Sequence, residues 1–255
     1  MLATAPPRGA EITEHQHGHE HAVTSKEWDH YWRDSAAKRR GPYALIAAFY
    51  RRFLIAGSVR HFFHRYFADE PGRIYVHAGC GSGESDRDIG FKKATFVLMD
   101  ISPEALRIAR GKTTLPSPYL VCGDIFHPPF RTGSIDGIWN LGVMEHFEEP
   151  QVTEIFGALA RIVKPRAPML VFWPPRYGLS VIALTSFLFV TNRVLRLNLQ
   201  LYPDEVSRYA SRGWATRLLA PAGLVIEKAH FGIRDLFTYV VLVATKRLSS
   251  RDGME

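Results

Sequence analysis

One stretch, residues 74–100, limits the folds open to this chain more than any other. It begins with Ile74-Tyr75-Val76-His77, which reads as a buried strand, and runs directly into Ala78-Gly79-Cys80-Gly81-Ser82-Gly83. Glycines at alternate positions let a backbone turn tightly and let a ligand approach main chain that a Cβ would shield. A second apolar strand, Thr95-Phe96-Val97-Leu98-Met99, ends on Asp100. That puts a carboxylate about 20 residues after the first glycine, where the ribose-hydroxyl acceptor stands in a nucleotide-binding βαβ unit. The pattern predicts one nucleoside site. Glycine runs of this kind also occur in flexible loops, so the strand before and the acid after carry the prediction.

Further motifs follow in register with the first. They are Tyr119-Leu120-Val121-Cys122-Gly123-Asp124, then Ser134-Ile135-Asp136-Gly137-Ile138-Trp139-Asn140, then Val143-Met144-Glu145-His146-Phe147, and Arg161-Ile162-Val163-Lys164-Pro165. Together with the glycine loop they resemble the class I S-adenosylmethionine-dependent methyltransferases, in particular the broad group of small-molecule enzymes. The resemblance covers about residues 70–175 and reaches poorly into the flanks. It implies S-adenosyl-L-methionine as cofactor and methyl transfer to O, N or C of a small-molecule or lipid-linked acceptor; a nucleic-acid methyltransferase and a non-catalytic S-adenosylmethionine-binding scaffold are the alternatives.

The resemblance also implies roles for individual residues. Gly79, Gly81 and Gly83, with His77 and Cys80 in the same loop, bring the main chain against the methionine and ribose part of the cofactor. Asp100 accepts from both ribose hydroxyls, which an ionised carboxylate does better than a neutral group. Ile101 and Ile125 pack on the two faces of the adenine, Asp124 after Gly123 accepts its exocyclic amine, and Asn140 and Leu141 lie under the methionine portion. Asp124 has a second reading, as a turn-forming aspartate after a glycine. His146 is the candidate general base for a hydroxyl acceptor, because it falls just past the fourth strand; a structural or cofactor-side role is the alternative.

Two departures from the family pattern stand out. His77 occupies a position where the family commonly has an acid, and a charged imidazole beside a cationic sulfonium would be repelled, so it is expected to be neutral. Arg166-Ala167-Pro168 replaces the usual pair of glycines and predicts a different turn before the fifth strand. Metal-assisted relatives carry E-x-x-E-H at the fourth strand; Gly142 stands in place of the first glutamate, so no metal is expected.

The spacing predicts strands near 73–78, 95–100, 118–123, 135–141 and 168–173, with helices near 84–91, 103–111 and 150–163. Ser102 and Pro103 form a start signal for the helix at 103, as cap and as a first-turn residue that needs no N–H. Strands alternating with helices imply right-handed crossovers and a parallel sheet, with ligands beyond the carboxyl ends of the strands. Helices are predicted from Pro203-Asp204-Glu205 through Tyr209 and near 214–219. Strands at 224–229 and 237–245 follow, the last antiparallel between the fifth and sixth as in the resembled fold. The fold class is thus α/β, a Rossmann-like seven-stranded, mostly parallel sheet with helices on both faces and an N-terminal helical cap.

The expected domain plan is a His-rich leader over 1–25, a helical cap over 26–70, the main domain over 71–247 with an apolar helical insertion at about 176–200, and a flexible tail over 248–255. The leader's alternating His15, His17, His19 and His21 could capture a transition metal, but a disordered segment without a secretory signal is the plainer reading. In the cap, Trp28, Tyr31 and Trp32 share a helix face, and a second helix is expected over 43–67. Cys80 and Cys122 sit in core motifs, which fits reduced, cytoplasmic cysteines. The formal charge of +7 favours acidic substrates or anionic surfaces without demanding them. Nucleic acid is not expected, since Asn140-Leu141-Gly142-Val143 lacks the N/D-P-P-Y/F sequence of nucleic-acid methyltransferases. Residues 179–190 are uncharged up to Arg193 and too short to span a bilayer, which takes ~20 residues. They read as a buried helix, a substrate-covering lid or an interfacial helix, the last two suiting an amphipathic acceptor and peripheral membrane contact.

Overall fold

The computed structural model describes residues 25–37, 50–178 and 205–247. The elements in chain order are α1 (Ser25–Ala37), a π-helical turn (Tyr50–Ile55) running into α2 (Ala56–Tyr66), β1 (Ile74–Ala78), β2 (Thr95–Asp100), α3 (Pro103–Lys112) and β3 (Tyr119–Cys122). Then come β4 (Gly137–Leu141), α4 (Glu149–Ile162), β5 (Met169–Trp173), α5 (Arg212–Leu219), β6 (Leu224–His230) and β7 (Val240–Lys246). The seven strands lie in the order β3-β2-β1-β4-β5-β7-β6. The first five are parallel, and β7 runs antiparallel to both of its neighbours.

The central strands are buried on both faces, as covered parallel sheets are. Because side chains alternate along a strand, β1 sends Val76 and Ala78 to one core with α4 and α5, and Tyr75 to the other with α2 and α3. Asp136, just before β4, ties the amino end of the sheet together: it accepts from Lys164 Nζ at 2.7 Å, the Arg73 guanidinium at 3.2 Å and the Ile74 N–H at 3.0 Å. The predicted start of α3 is present, with Ser102 Oγ accepting from the Ala105 N–H at 3.1 Å and Pro103 in the first turn.

Two predicted helices are replaced by other structure. The segment expected to be helical over 84–91 holds only a 3₁₀ turn, Glu84–Asp86. Asp88 and Gly90 take positive φ, which no helix continues through, while Asp86 and Ile89 are drawn into the core. The face that this helix would have covered is filled by α2 and its row of phenylalanines. The helix expected through Tyr209 is extended instead: Tyr209 bridges Pro175, its N–H donating to the Pro174 carbonyl at 2.9 Å. The second cap helix is helical where it is described, from Tyr50, but its first turn is wound as π. The His-rich leader, the start of that cap helix, the apolar run 179–190 with most of the insertion, and the tail lie outside the described residues.

Candidate functional site

The glycine loop is held against the end of β2 by its own backbone. The N–H groups of Gly79 and Cys80 both donate to the Met99 carbonyl, at 2.9 and 3.0 Å. Gly79 has φ +74°, and a Cβ there would come within 2.6 Å of the Val143 side chain, so both conformation and packing require glycine. Asp100 then fixes the middle of the loop: one carboxylate oxygen accepts from the Gly81 N–H at 2.7 Å, the other from the Ser102 N–H at 3.0 Å. Its carboxyl is buried, and burial raises its pKa against the pull of those two N–H groups and of His77. Each oxygen retains acceptor capacity beyond the one bond it accepts.

Below the loop, Asn140 on β4 donates from Nδ2 to the Ala78 carbonyl at 2.6 Å, while its Oδ1 is buried with no hydrogen-bond partner. On the β3 side, Gly123 donates to the Asp100 carbonyl at 3.0 Å. Asp124 accepts from the Phe126 N–H at 3.0 Å and faces His127 Nδ1 at 3.3 Å, the local turn geometry of an aspartate after a glycine. Ile101 is half-buried, Ile125 is buried, and Leu141 ends β4 half-buried. Cys80 is buried, and burial together with Asp100 and Asp86 pushes its thiol well above the usual range, so it is a packing residue.

His77 is held by Asp86 and Trp139. Its Nδ1 lies 2.8 Å from Asp86 Oδ2, its ring stacks on Trp139 with centroids 4.7 Å apart, and Trp139 Nε1 donates to Asp86 Oδ1 at 3.1 Å. Asp86, nine residues on, is fully buried. The triad occupies the α2 side of the sheet, where it replaces the missing crossover helix as the support of β1.

Helix α1 covers the site. Trp32 lies so close to the loop that a Cβ on Gly81 would fall 2.7 Å from its indole. Asp29 accepts from the Ser102 hydroxyl and from the Glu104 N–H, and Ser25 Oγ donates to the Ile101 carbonyl at 3.3 Å. The indole thus packs on the glycine loop, and α1 borders the site as well as forming the cap.

Past β4, the 3₁₀ turn Met144–His146 carries an acid and an imidazole side by side. His146 is half-buried, with its ring edge-on to Trp28 of α1 at a centroid distance of 5.2 Å. Glu145 is buried against the segment that enters from Glu205: its carbonyl accepts from the N–H groups of Val206 and Ser207 at 2.7 and 3.1 Å, and Ser207 Oγ donates to the Met144 carbonyl at 2.9 Å. The Glu145 carboxyl lies beside Gly142, and its Oε2 has no hydrogen-bond partner. Burial, with Glu205 adding and Arg208 opposing, pushes its pKa up to about 8.

That burial predicts a pH signature in stability. The carboxyl titrates near its ordinary 4.5 when unfolded and near 8 when folded, so between those values the folded state binds more protons. Stability is greatest below the lower value and falls as pH rises, by up to about 1.4 kcal/mol per pH unit, until the folded carboxyl ionises. Urea midpoints of Glu145→Gln are expected to lose this component of the slope and to exceed those of the parent protein at pH 8 and above. Parallel pH profiles for the two proteins would show that Glu145 is ionised in the folded state.

Sequence reasoning placed Asp100, the glycines and Asn140 around one loop, and the structure brings them together. It missed Asp86 and Glu145. Glu145 had a signal, as neighbour of His146, but only the clamp by Val206 and Ser207 decides which of the two side chains is buried. Among the described residues there is no cluster of metal-ligating side chains.

Comparison with known proteins agrees with this geometry. Residues 76–171 match the model of a family described as a methyltransferase domain. An uncharacterised methyltransferase of Synechocystis sp. is 28% identical over 118 residues, which is 42% of this chain and 55% of the relative, so the chain spans about half the length of that curated relative. Magnesium protoporphyrin IX methyltransferase from Synechocystis, solved with bound SAH, superposes with a TM-score of 0.61 at 17% identity, covering 85% of this chain and 93% of that one. Human N-acetylserotonin methyltransferase in complex with SAM gives 0.55 at 15% identity, covering 88% and 57%. At these identities the solved structures speak to the fold.

Proposed function

We propose that this chain, which resembles the class I S-adenosylmethionine-dependent methyltransferases in its matched domain and its fold, is such an enzyme and transfers the methyl group of that cofactor to a small amphipathic acceptor. The observation that carries the reading is Asp100, a buried carboxylate at the end of β2 that grips the glycine loop through Gly81 and keeps lone pairs for a diol. S-adenosylmethionine, when bound, supplies an electrophilic methyl on a cationic sulfur. The residues present fit it: Asp100 would take the ribose hydroxyls, and the partnerless Oδ1 of Asn140 is an acceptor buried under the loop, suited to a donor on the methionine side. Gly79 and Gly81 would admit it to the main chain once Trp32 swings clear.

The chain's own work is then alignment and exclusion of water, since an in-line displacement needs little else. Trp28 and Trp32 on α1 would form the dry cover, and His146, held edge-on by Trp28, would take the proton of a hydroxyl nucleophile. Large apolar side chains exposed beside the carboxyl edge of the sheet favour an acceptor with an apolar part. Phe231, Ile233 and Leu236 on the β6–β7 connection are 50%, 74% and 43% exposed. Among the described residues no helix is long and apolar enough to cross a membrane, and peripheral contact through 179–190 is part of this proposal. The experiment is transfer of labelled methyl from S-adenosylmethionine into a fractionated cell extract. Label is expected in organic-soluble small molecules. Label in nucleic acid alone, or none in any fraction, would overturn the reading.

A further inference from the structure

A cavity of about 270 Å³ opens between α2 and the β6–β7 connection, away from the glycine loop. Its polar lining is Ser58, His61 and Arg65 from α2, and His230, Arg234 and Asp235 from the strand end and connection. We propose that this cavity binds the anionic end, a carboxylate or a phosphate, of the methyl acceptor. This rests on the methyltransferase reading for the word acceptor, and on the cavity alone for the anion.

The charges are arranged for an incoming anion. Arg65 and Arg234 are both exposed, and neither is ion-paired among the described residues. Two guanidiniums in the lining of one concavity raise the local concentration of anions. The one acid in the lining, Asp235, is buried, and its carboxylate accepts from the Tyr239 N–H at 3.2 Å. The histidines register the field. Burial first, then Arg234 and Arg65, pushes the His61 pKa below its ordinary value. His230, which meets the Tyr66 hydroxyl at 2.6 Å, is pushed down by burial, then by Arg65 and His61.

A second observation is independent of charge. Ser58 lines the cavity and is 2% exposed, and its hydroxyl has no hydrogen-bond partner. Buried hydroxyls are almost always paired, and an orphan costs enough that it calls for an explanation. A ligand oxygen beside it supplies one.

The cavity also points at the chemistry. Tyr239 lines it, and its hydroxyl stands 3.6 Å from where a Cβ on Gly142 would be, at the carboxyl end of β4 beside Glu145. A molecule held by its acidic end between the two arginines would pass Tyr239 on its way to the methyl-transfer region, with Phe231 and Ile233 at its apolar flank. The volume holds only an end group, at ~30 Å³ per water-sized unit, which suits an amphiphile better than a wholly enclosed ligand.

The test uses the full chain saturated with S-adenosylhomocysteine and three probes: dodecyl phosphate below its micellar concentration, dodecanol, and phosphatidylglycerol vesicles. Calorimetry is expected to show dodecyl phosphate bound and dodecanol at least tenfold weaker, with the His61 imidazole titrating higher by NMR when the anion is present. Arg65→Gln/Arg234→Gln, two exposed changes, should weaken dodecyl phosphate at least tenfold and leave cofactor affinity unchanged. Ser58→Ala should weaken it without loss of thermal stability. Binding to vesicles but not to free dodecyl phosphate would support the same anion site with a membrane headgroup as its source. Equal affinity for dodecanol, or dodecyl phosphate binding untouched by the double substitution, would overturn the proposal. Failure of S-adenosylhomocysteine to bind would instead strike the methyltransferase reading and leave the anion result to be judged without it.

Discussion

Asp100→Ala is expected to lower the affinity for S-adenosylmethionine by at least tenfold. The carboxylate would lose two charge-assisted hydrogen bonds to the ribose, each contributing ~1.5–3 kcal/mol, and a tenfold change in affinity corresponds to about 1.4 kcal/mol. Alanine also strips the acceptors from the Gly81 and Ser102 N–H groups, so the loop loses its anchor at the same time. Asp100→Asn separates the two effects, because an amide oxygen can keep one N–H partner while the charge is gone. The pH dependence supplies a further check. Burial raises the carboxyl's pKa in the free protein, and hydroxyl donors favour the ionised form. Binding therefore releases a proton at acid pH, and affinity should rise with pH through the free-state titration. Calorimetric titration showing the alanine variant binding as tightly as the parent would remove Asp100 from the site.

What was legible in the sequence was local. The strand, glycine loop and acid of 74–100 lie within one supersecondary unit, so their spacing alone fixes how they meet, and Gly81 and Asp100 do meet. The same holds for Ser102 as the cap of α3. Where the sequence misled, a tertiary partner overrode a local pattern. Residues 84–91 have enough polar and charged side chains to pass for a surface helix, but Asp86 is taken by His77 and Trp139, the second of them 53 residues away. With Asp86 pinned in the core and Asp88 in a left-handed conformation, a crossover helix has no room to start.

Distance in the chain hides the rest. The cavity lined by Arg65 and Arg234 depends on α2 meeting the end of β6, a contact made by Tyr66 and His230 across 164 residues. No periodicity in either segment announces it, and in sequence each arginine reads as an ordinary solvated charge. Trp32 is similar: a shared helix face with Trp28 says that the face is covered, and only the fold says that what it covers is the glycine loop.

His146→Ala is expected to lower turnover by ~10²–10⁴ with a hydroxyl acceptor, the range that a positioned general base contributes, while leaving the affinity for S-adenosylmethionine nearly intact. Two groups follow β4 closely enough to serve as base. Glu145 is disqualified near neutrality by its environment, since burial holds its carboxyl protonated up to about pH 8, and a protonated acid cannot accept the proton. His146 is half-buried at the edge of the site, and its backbone is fixed by a bond from its N–H to the Val143 carbonyl at 3.1 Å. The edge-on contact with Trp28 orients the ring and links it to α1. The distinguishing readout is the pH profile of kcat. Loss of an imidazole base removes the acidic limb of that profile, whereas loss of a packing contact with Trp28 lowers kcat at every pH and weakens cofactor binding along with it. An alanine variant that kept the acidic limb, or lost cofactor affinity in proportion to turnover, would assign His146 to the cover and leave the proton to solvent or to the acceptor itself.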